Sequence, residues 1–321
     1  MNSAEAPPRE RMFTFRSGGW VVALAVFMMS LVVLQVFLHL GKARAQRIGD
    51  GHDVSTYRFD LANAVIPTDE IVAGGMWRDK TPPLTDPLVW SLTKHETTQS
   101  RRGKTLLLPE DRVIGVTIGG ESRAYPLKIL NWHELVNDTL GAKRIAVTYH
   151  PLCDSVAVFD RDVDGETIEF GISGLLWQSN QLLYDRREQI GTESLWSQLQ
   201  GRAVSGPMAG KALRTLPFEL VRWPDWKERH PETTILAPRP EMSRDYKRRP
   251  YAPYYSMQMP REEFPVSPYP PPGDPERAWD RIAVLADGRL VPYEDNAPPA
   301  MWHGFWWSWH ATHPDSAARP E

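Results

Sequence analysis

"RIAVTYHPLCDSVAVFDRDVDGETIEFGIS", residues 144–173, decides the fold. Ile145, Val147 and Tyr149 alternate with polar or small residues, and Val156 and Val158 repeat the pattern after a short break. That period of two, with β-branched residues, marks strands. Asp164-Gly165 supplies the left-handed pair that a tight hairpin needs, so "SVAVF" and "ETIEFGIS" read as its arms. Pro151 lacks the N–H that a sheet ladder needs and ends the first strand. His150-Pro151-Leu152-Cys153 is therefore a loop between strands, and it holds the chain's single cysteine.

Working outward, "RVIGVTI" (112–118) alternates in the same way, and Gly119-Gly120 turns it into "ESRAYPL". "KILNWHELVND" (128–138) spaces Ile129, Leu130, His133 and Val136 for a short helix. "QLLYDRR", "FELVRW" and "TTILAP" read as strands, whereas "TESLWSQL", with Thr192 as cap, and "PDWKERHPE" read as short helices. "RIAVLADGRLVPY" (281–293) is a second Asp-Gly hairpin, and "MWHGFWWSWH" closes the folded part. The count of strands over short helices gives an α+β, β-rich class of antiparallel hairpins.

Residues 19–40, "GWVVALAVFMMSLVVLQVFLHL", are uncharged over about the 20 residues that a membrane-crossing helix requires. Basic residues flank both ends, so charge does not orient the span. The expected layout is a tail at 1–18, a transmembrane signal anchor at 19–41 and a juxtamembrane linker at 42–58. One domain follows at 59–315, with a Pro/Tyr-rich segment at 239–275 laid over its surface, and a tail at 316–321. A membrane-anchored protein with its main domain exported, periplasmic or extracellular, follows. "ARA" at 43–45 leaves signal-peptidase cleavage as the less favoured alternative.

With 41% hydrophobic and 24% charged residues the chain folds, and a net charge of -3 offers no field for nucleic acid. No nucleic-acid partner is expected. A single cysteine excludes an intrachain disulfide. Gly-rich dinucleotide and phosphate loops, H-E-x-x-H and G-x-S-x-G are all missing from the sequence.

The blocks "RAYPLKILNWHELVNDTLG", "VTYHPLCDSVAVFDR", "FGISGLLWQSNQLLYDRREQIGTESLWSQLQGRAVSG", "WPDWKERHPETTIL" and "RDYKRRPYAPYY" together resemble the domain-of-unknown-function 3179 family. The resemblance runs from about Phe59 to Asp315 and implies no established activity. It does imply a Cys-Pro-Leu-Cys motif, with some members read as selenoproteins; here His150 replaces the first cysteine. That departure removes a dithiol and its intrachain exchange cycle.

Three readings of the loop stay open. In the first, Cys153 is a reactive thiol whose pKa His150 or His133 lowers, and it needs an external thiol or protein redox partner. In the second, His133, His150 and Cys153 bind copper or zinc, thiolate and imidazole being suitable ligands for both. In the third, Cys153 is a small buried hydrophobe in a non-catalytic, Trp-rich interaction module. Glu134, Asp154, Asp185 and Arg186 are the supporting polar residues, although "YDRR" equally suits a structural ion pair. "DYKRRPY" reads as a solvated loop.

Overall fold

Gly19–Ala45 forms one α-helix, long and apolar enough over Gly19–Val36 to cross a membrane; a membrane anchor and a signal sequence both have this form. The computed structural model describes residues 19–45, 47–102, 107–242, 245–255, 279–294 and 297–316. The tail at 1–18, residues 243–244 and 256–275 of the Pro/Tyr-rich segment, and residues 276–278 and 317–321 lie outside the described residues. The chain divides into two units, Met1–Arg47 and Ile48–Glu321. The expected linker at 42–58 straddles this division, and Tyr57 is fully buried in the second unit.

The described residues of the second unit form three large sheets, mostly antiparallel, and a two-stranded ribbon of 162–163 with 166–167. The largest runs in the order 290–292, 281–284, 302–305, 155–160, 143–150, 135–140, 84–85, with 215–216 also pairing on 155–160. Its centre is the opening stretch of sequence: Lys143–His150 pairs antiparallel with Ser155–Asp160 from Ile145↔Asp160 to His150↔Ser155. Alternation then sends successive side chains to opposite faces. Ile145, Val147 and Tyr149 join Ile114, Val116 and Tyr125 of the sheet 219–222, 112–118, 121–126, 234–236, 89–91. Ala146 joins Phe170, Ile172, Leu183 and Trp196 of the sheet 71–73, 170–177, 180–185, 195–197, 202–205. The largest sheet is thus buried on both faces, which is why its strands carry apolar or small residues at both parities.

Two expected helices turn out differently. The helix at 128–138 covers only Leu127–His133; Glu134 takes a left-handed conformation (φ 57°) with its N–H on the Leu130 carbonyl, and Leu135–Leu140 is a strand. Both periods fit this stretch, and pairing with Lys143–Thr148 decides it. "TESLWSQL" holds the strand Leu195–Ser197, fixed between 180–185 and 202–205, so tertiary pairing overrides local propensity. Trp223–Arg229 is helical, with Pro224 in its first turn as expected.

Candidate functional site

Between the two central strands, Pro151–Cys153 makes one helical turn and Asp154 (φ 44°) takes the left-handed conformation that redirects the chain. Facing it is the turn of the hairpin 170–177/180–185, where Gln178 (φ 49°) and Ser179 (φ 60°) both adopt positive φ. Such two-residue turns usually take Asn-Gly. Of the eight non-glycine residues with positive φ among the described residues, Asp154, Gln178 and Ser179 gather here. Backbone cost of this kind concentrates where a geometry is enforced by its surroundings.

The turn presents the Ser179 carbonyl to the loop. Cys153 Sγ donates to it at 3.2 Å, and His150 Nε2 lies 3.2 Å from the same oxygen. A carbonyl only accepts, so Nε2 carries the hydrogen and Nδ1 is the lone-pair nitrogen. Nδ1 is buried without a hydrogen-bond partner among the described residues. Burial lowers the His150 pKa to about 4, against the raising effect of its bond to Ser179. Burial also pushes the Cys153 thiol up to about 12, although Ser308 and Asn180 act to lower it. At neutral pH a neutral imidazole thus stands beside an intact thiol.

A buried polar network lies on the same face. Asn180 Nδ2 donates to Ser155 Oγ at 3.0 Å and Gln198 Oε1 at 2.9 Å, and Gln198 Nε2 donates to Thr148 Oγ1 at 2.9 Å. On the other face, the fully buried Asp154 carboxylate receives Arg112 Nη2 at 3.0 Å, Arg281 Nε at 2.5 Å and the Tyr149 hydroxyl at 2.9 Å. Burial works against its charge, but Arg112 and Arg281 prevail and hold the carboxyl well below the usual range. His303 Nδ1 donates to the Asp154 carbonyl at 2.9 Å.

The other sequence-derived residues separate from this loop. His133 uses both ring nitrogens, Nδ1 on the Pro82 carbonyl and Nε2 with the Tyr246 hydroxyl, each at 2.7 Å. The structure does not gather it with His150 and Cys153, and among the described residues no group of three His, Cys, Asp or Glu could hold a metal ion. Glu134 is buried with the Tyr251 hydroxyl 3.4 Å away, and burial raises its carboxyl to about 8 despite that bond. Asp185 accepts from Arg187 at 2.8 Å, while Arg186 pairs with Asp79 and Glu169, each at 2.9 Å. "YDRR" is a structural ion-pair cluster.

The solvated loop expected at "DYKRRPY" is solvated only in part. Residues 247–250 are exposed, but the tyrosines turn inward. Tyr246 reaches His133, Tyr251 reaches Glu134, and Tyr254 donates to the Leu152 carbonyl at 2.7 Å. Tyr255 donates to the Pro151 carbonyl at 2.6 Å and lies 3.0 Å from the Tyr149 hydroxyl. Sequence reasoning did not assign these tyrosines, nor Arg112 and Arg281, to the loop. The tyrosine spacing within a proline-rich segment was the signal available.

A model of the family described as protein of unknown function (DUF3179) matches residues 78–285. No curated protein and no solved structure matches the chain.

Proposed function

The chain belongs to the DUF3179 family of proteins of unknown function, and from its own geometry we propose that Cys153 carries thiol redox chemistry with His150 as its base. The domain bearing this site is attached to a membrane through residues 19–41 and exported. One observation supports the chemistry: the thiol and the imidazole meet on a single carbonyl, Ser179 O, each at 3.2 Å. The thiol reading is preferred to copper or zinc handling because His133, the third ligand expected, is engaged with Pro82 and Tyr246.

In the proposed cycle the sulfur attacks an oxygen of a hydroperoxide while His150, through its unpartnered nitrogen, takes the thiol proton. The O–O bond breaks, Cys153 becomes a sulfenic acid, and the alcohol or water formed leaves with that proton. One external thiol converts the sulfenic acid to a mixed disulfide and releases water; a second restores Cys153 and leaves as disulfide. The reductant must be external because the chain has no second cysteine.

A second reading, with Cys153 as a structural core residue, is favoured by its complete burial and by its thiol pKa of about 12. Burial of Trp177, Trp196, Trp223 and Trp226 removes these aromatic faces from a binding surface under either reading. Sulfenic-acid trapping after hydroperoxide treatment of the full chain in detergent separates the two. Labelling is expected at Cys153 in the wild type, falling by about 100-fold in His150→Gln, the scale of a lost general base. Labelling of the denatured chain alone would establish the structural reading.

A further inference from the structure

The tyrosines of residues 246–255 turn inward: the Tyr254 and Tyr255 hydroxyls bond to backbone carbonyls of the His150–Cys153 loop, while those of Tyr246 and Tyr251 reach His133 and Glu134 outside it. We propose that this segment is a cover over Cys153, held shut by tyrosine hydroxyls and opened as a unit to admit reactants. This inference rests on the thiol reading above and states how that site is regulated.

Two kinds of contact support it. Cys153 packs with Phe305 and Trp307, and Tyr255 and Trp279 lie against that cluster. The rings interlock edge to face, Tyr255 on Phe305 at 6.4 Å and Tyr254 on Trp279 at 5.4 Å between centroids. The hydroxyls of Tyr254 and Tyr255 then take the carbonyls of Leu152 and Pro151, the two residues before the cysteine. The covering segment therefore holds the loop backbone as well as shielding its thiol.

Between Asp245 and Tyr255 the segment carries no strand. Ala252–Tyr255 is a single helical turn, Asp245–Lys247 another, and neither pairs with a sheet. Lys247, which ends the first of these turns, and Arg248, Arg249 and Pro250 between them are exposed. Lifting such a segment breaks side-chain bonds and ring contacts but no sheet ladder, so it costs far less than global unfolding. The strands that flank the Pro151–Cys153 turn and the Gln178–Ser179 turn stay paired throughout.

Each neutral hydrogen bond shifts an opening equilibrium by roughly fivefold, and independent ones multiply. Tyr254→Phe/Tyr255→Phe keeps both rings and removes both hydroxyls, so Cys153 alkylation by a small iodoacetamide reagent is expected to speed up by between about fivefold, the effect of one bond, and about 25-fold, the product of two, because the bonds are neighbours. Tyr293→Phe, which removes a hydroxyl bonded to the Leu220 carbonyl, is the control for general destabilisation. Hydrogen exchange of residues 245–255 is measured on the same full-length samples in detergent. Faster alkylation and faster exchange in the double variant, with Tyr293→Phe near wild type, is the expected result. An unchanged alkylation rate in the double variant, or an equal rise in Tyr293→Phe, would overturn the cover. If cover opening is confirmed but hydroperoxide leaves no sulfenic acid at Cys153, the cover stands and the redox reading falls.

Discussion

Asp154 shows how one residue ties the loop to its surroundings. It sits one position after Cys153, adopts positive φ, and gathers Arg112, Arg281 and Tyr149 on a fully buried carboxylate. Asp154→Asn keeps a side chain that tolerates this backbone but removes the charge that both guanidiniums face. Breaking a buried pair costs about 3–5 kcal/mol; Arg281 is partly exposed, so roughly 2–3 kcal/mol is expected, read by urea unfolding. Glu134 makes the opposite case, with a carboxyl that burial raises from the ordinary 4.5 to about 8. Between those two values the folded chain holds a proton that the unfolded chain has lost. Its contribution is complete below pH 4.5 and disappears as pH rises through 8. Between pH 6.5 and 8 the wild type should lose roughly 2 kcal/mol relative to Glu134→Gln, as paired denaturation curves at the two pH values would show. Parallel curves would refute the buried neutral acid. None of this was legible in sequence, where Glu134 and Asp154 are ordinary acids beside a histidine and a cysteine; their burial comes from strands paired across the sheet.

At the scale of elements, hairpins marked by their own turn residues were legible. Gly119-Gly120 and Asp287-Gly288 turn their strands where the spacing places them, whereas Asp164-Gly165 turns only 162–163 onto 166–167, and the expected arms "SVAVF" and "ETIEFGIS" do not pair with each other: Ser155–Asp160 pairs with Lys143–His150 and Phe170–Trp177 with Asn180–Asp185. Helix against strand was harder wherever apolar residues satisfy both periods, as in "KILNWHELVND" and "TESLWSQL", because partner strands far along the chain decide the outcome. Gly115 is one place where element packing can be tested alone. It lies mid-strand in Arg112–Ile118, and an added Cβ would meet the Trp226 ring at 2.2 Å from Cζ3. The helix Trp223–Arg229 therefore needs this glycine to seat its tryptophan on the sheet. Gly115→Ala is expected to cost roughly 3 kcal/mol by overpacking, with altered tryptophan fluorescence. A variant as stable as wild type would show that Trp226 can pack elsewhere.

Over the whole molecule, the β-rich class and the position of the His-Pro-Leu-Cys loop at a strand junction were both readable from residues 144–173. The stacking of the three large sheets was not, since alternation says that a strand has two faces but not what covers each. Nor was the inward turn of the tyrosine segment, whose proline-rich composition resembles that of a solvated loop. These long-range placements make the site what it is: a thiol and an imidazole sharing one carbonyl, buried under a segment that no sheet retains. The central claim is that this thiol reacts in the folded protein. The direct measurement follows hydroperoxide oxidation of Cys153 by mass spectrometry in the native full chain, alongside the global unfolding rate from tryptophan fluorescence. Oxidation through local opening should outpace unfolding by at least about tenfold and change little in low urea. Oxidation that proceeds only at the unfolding rate, rising with urea in step with it, would contradict the claim and leave Cys153 a structural residue of the core.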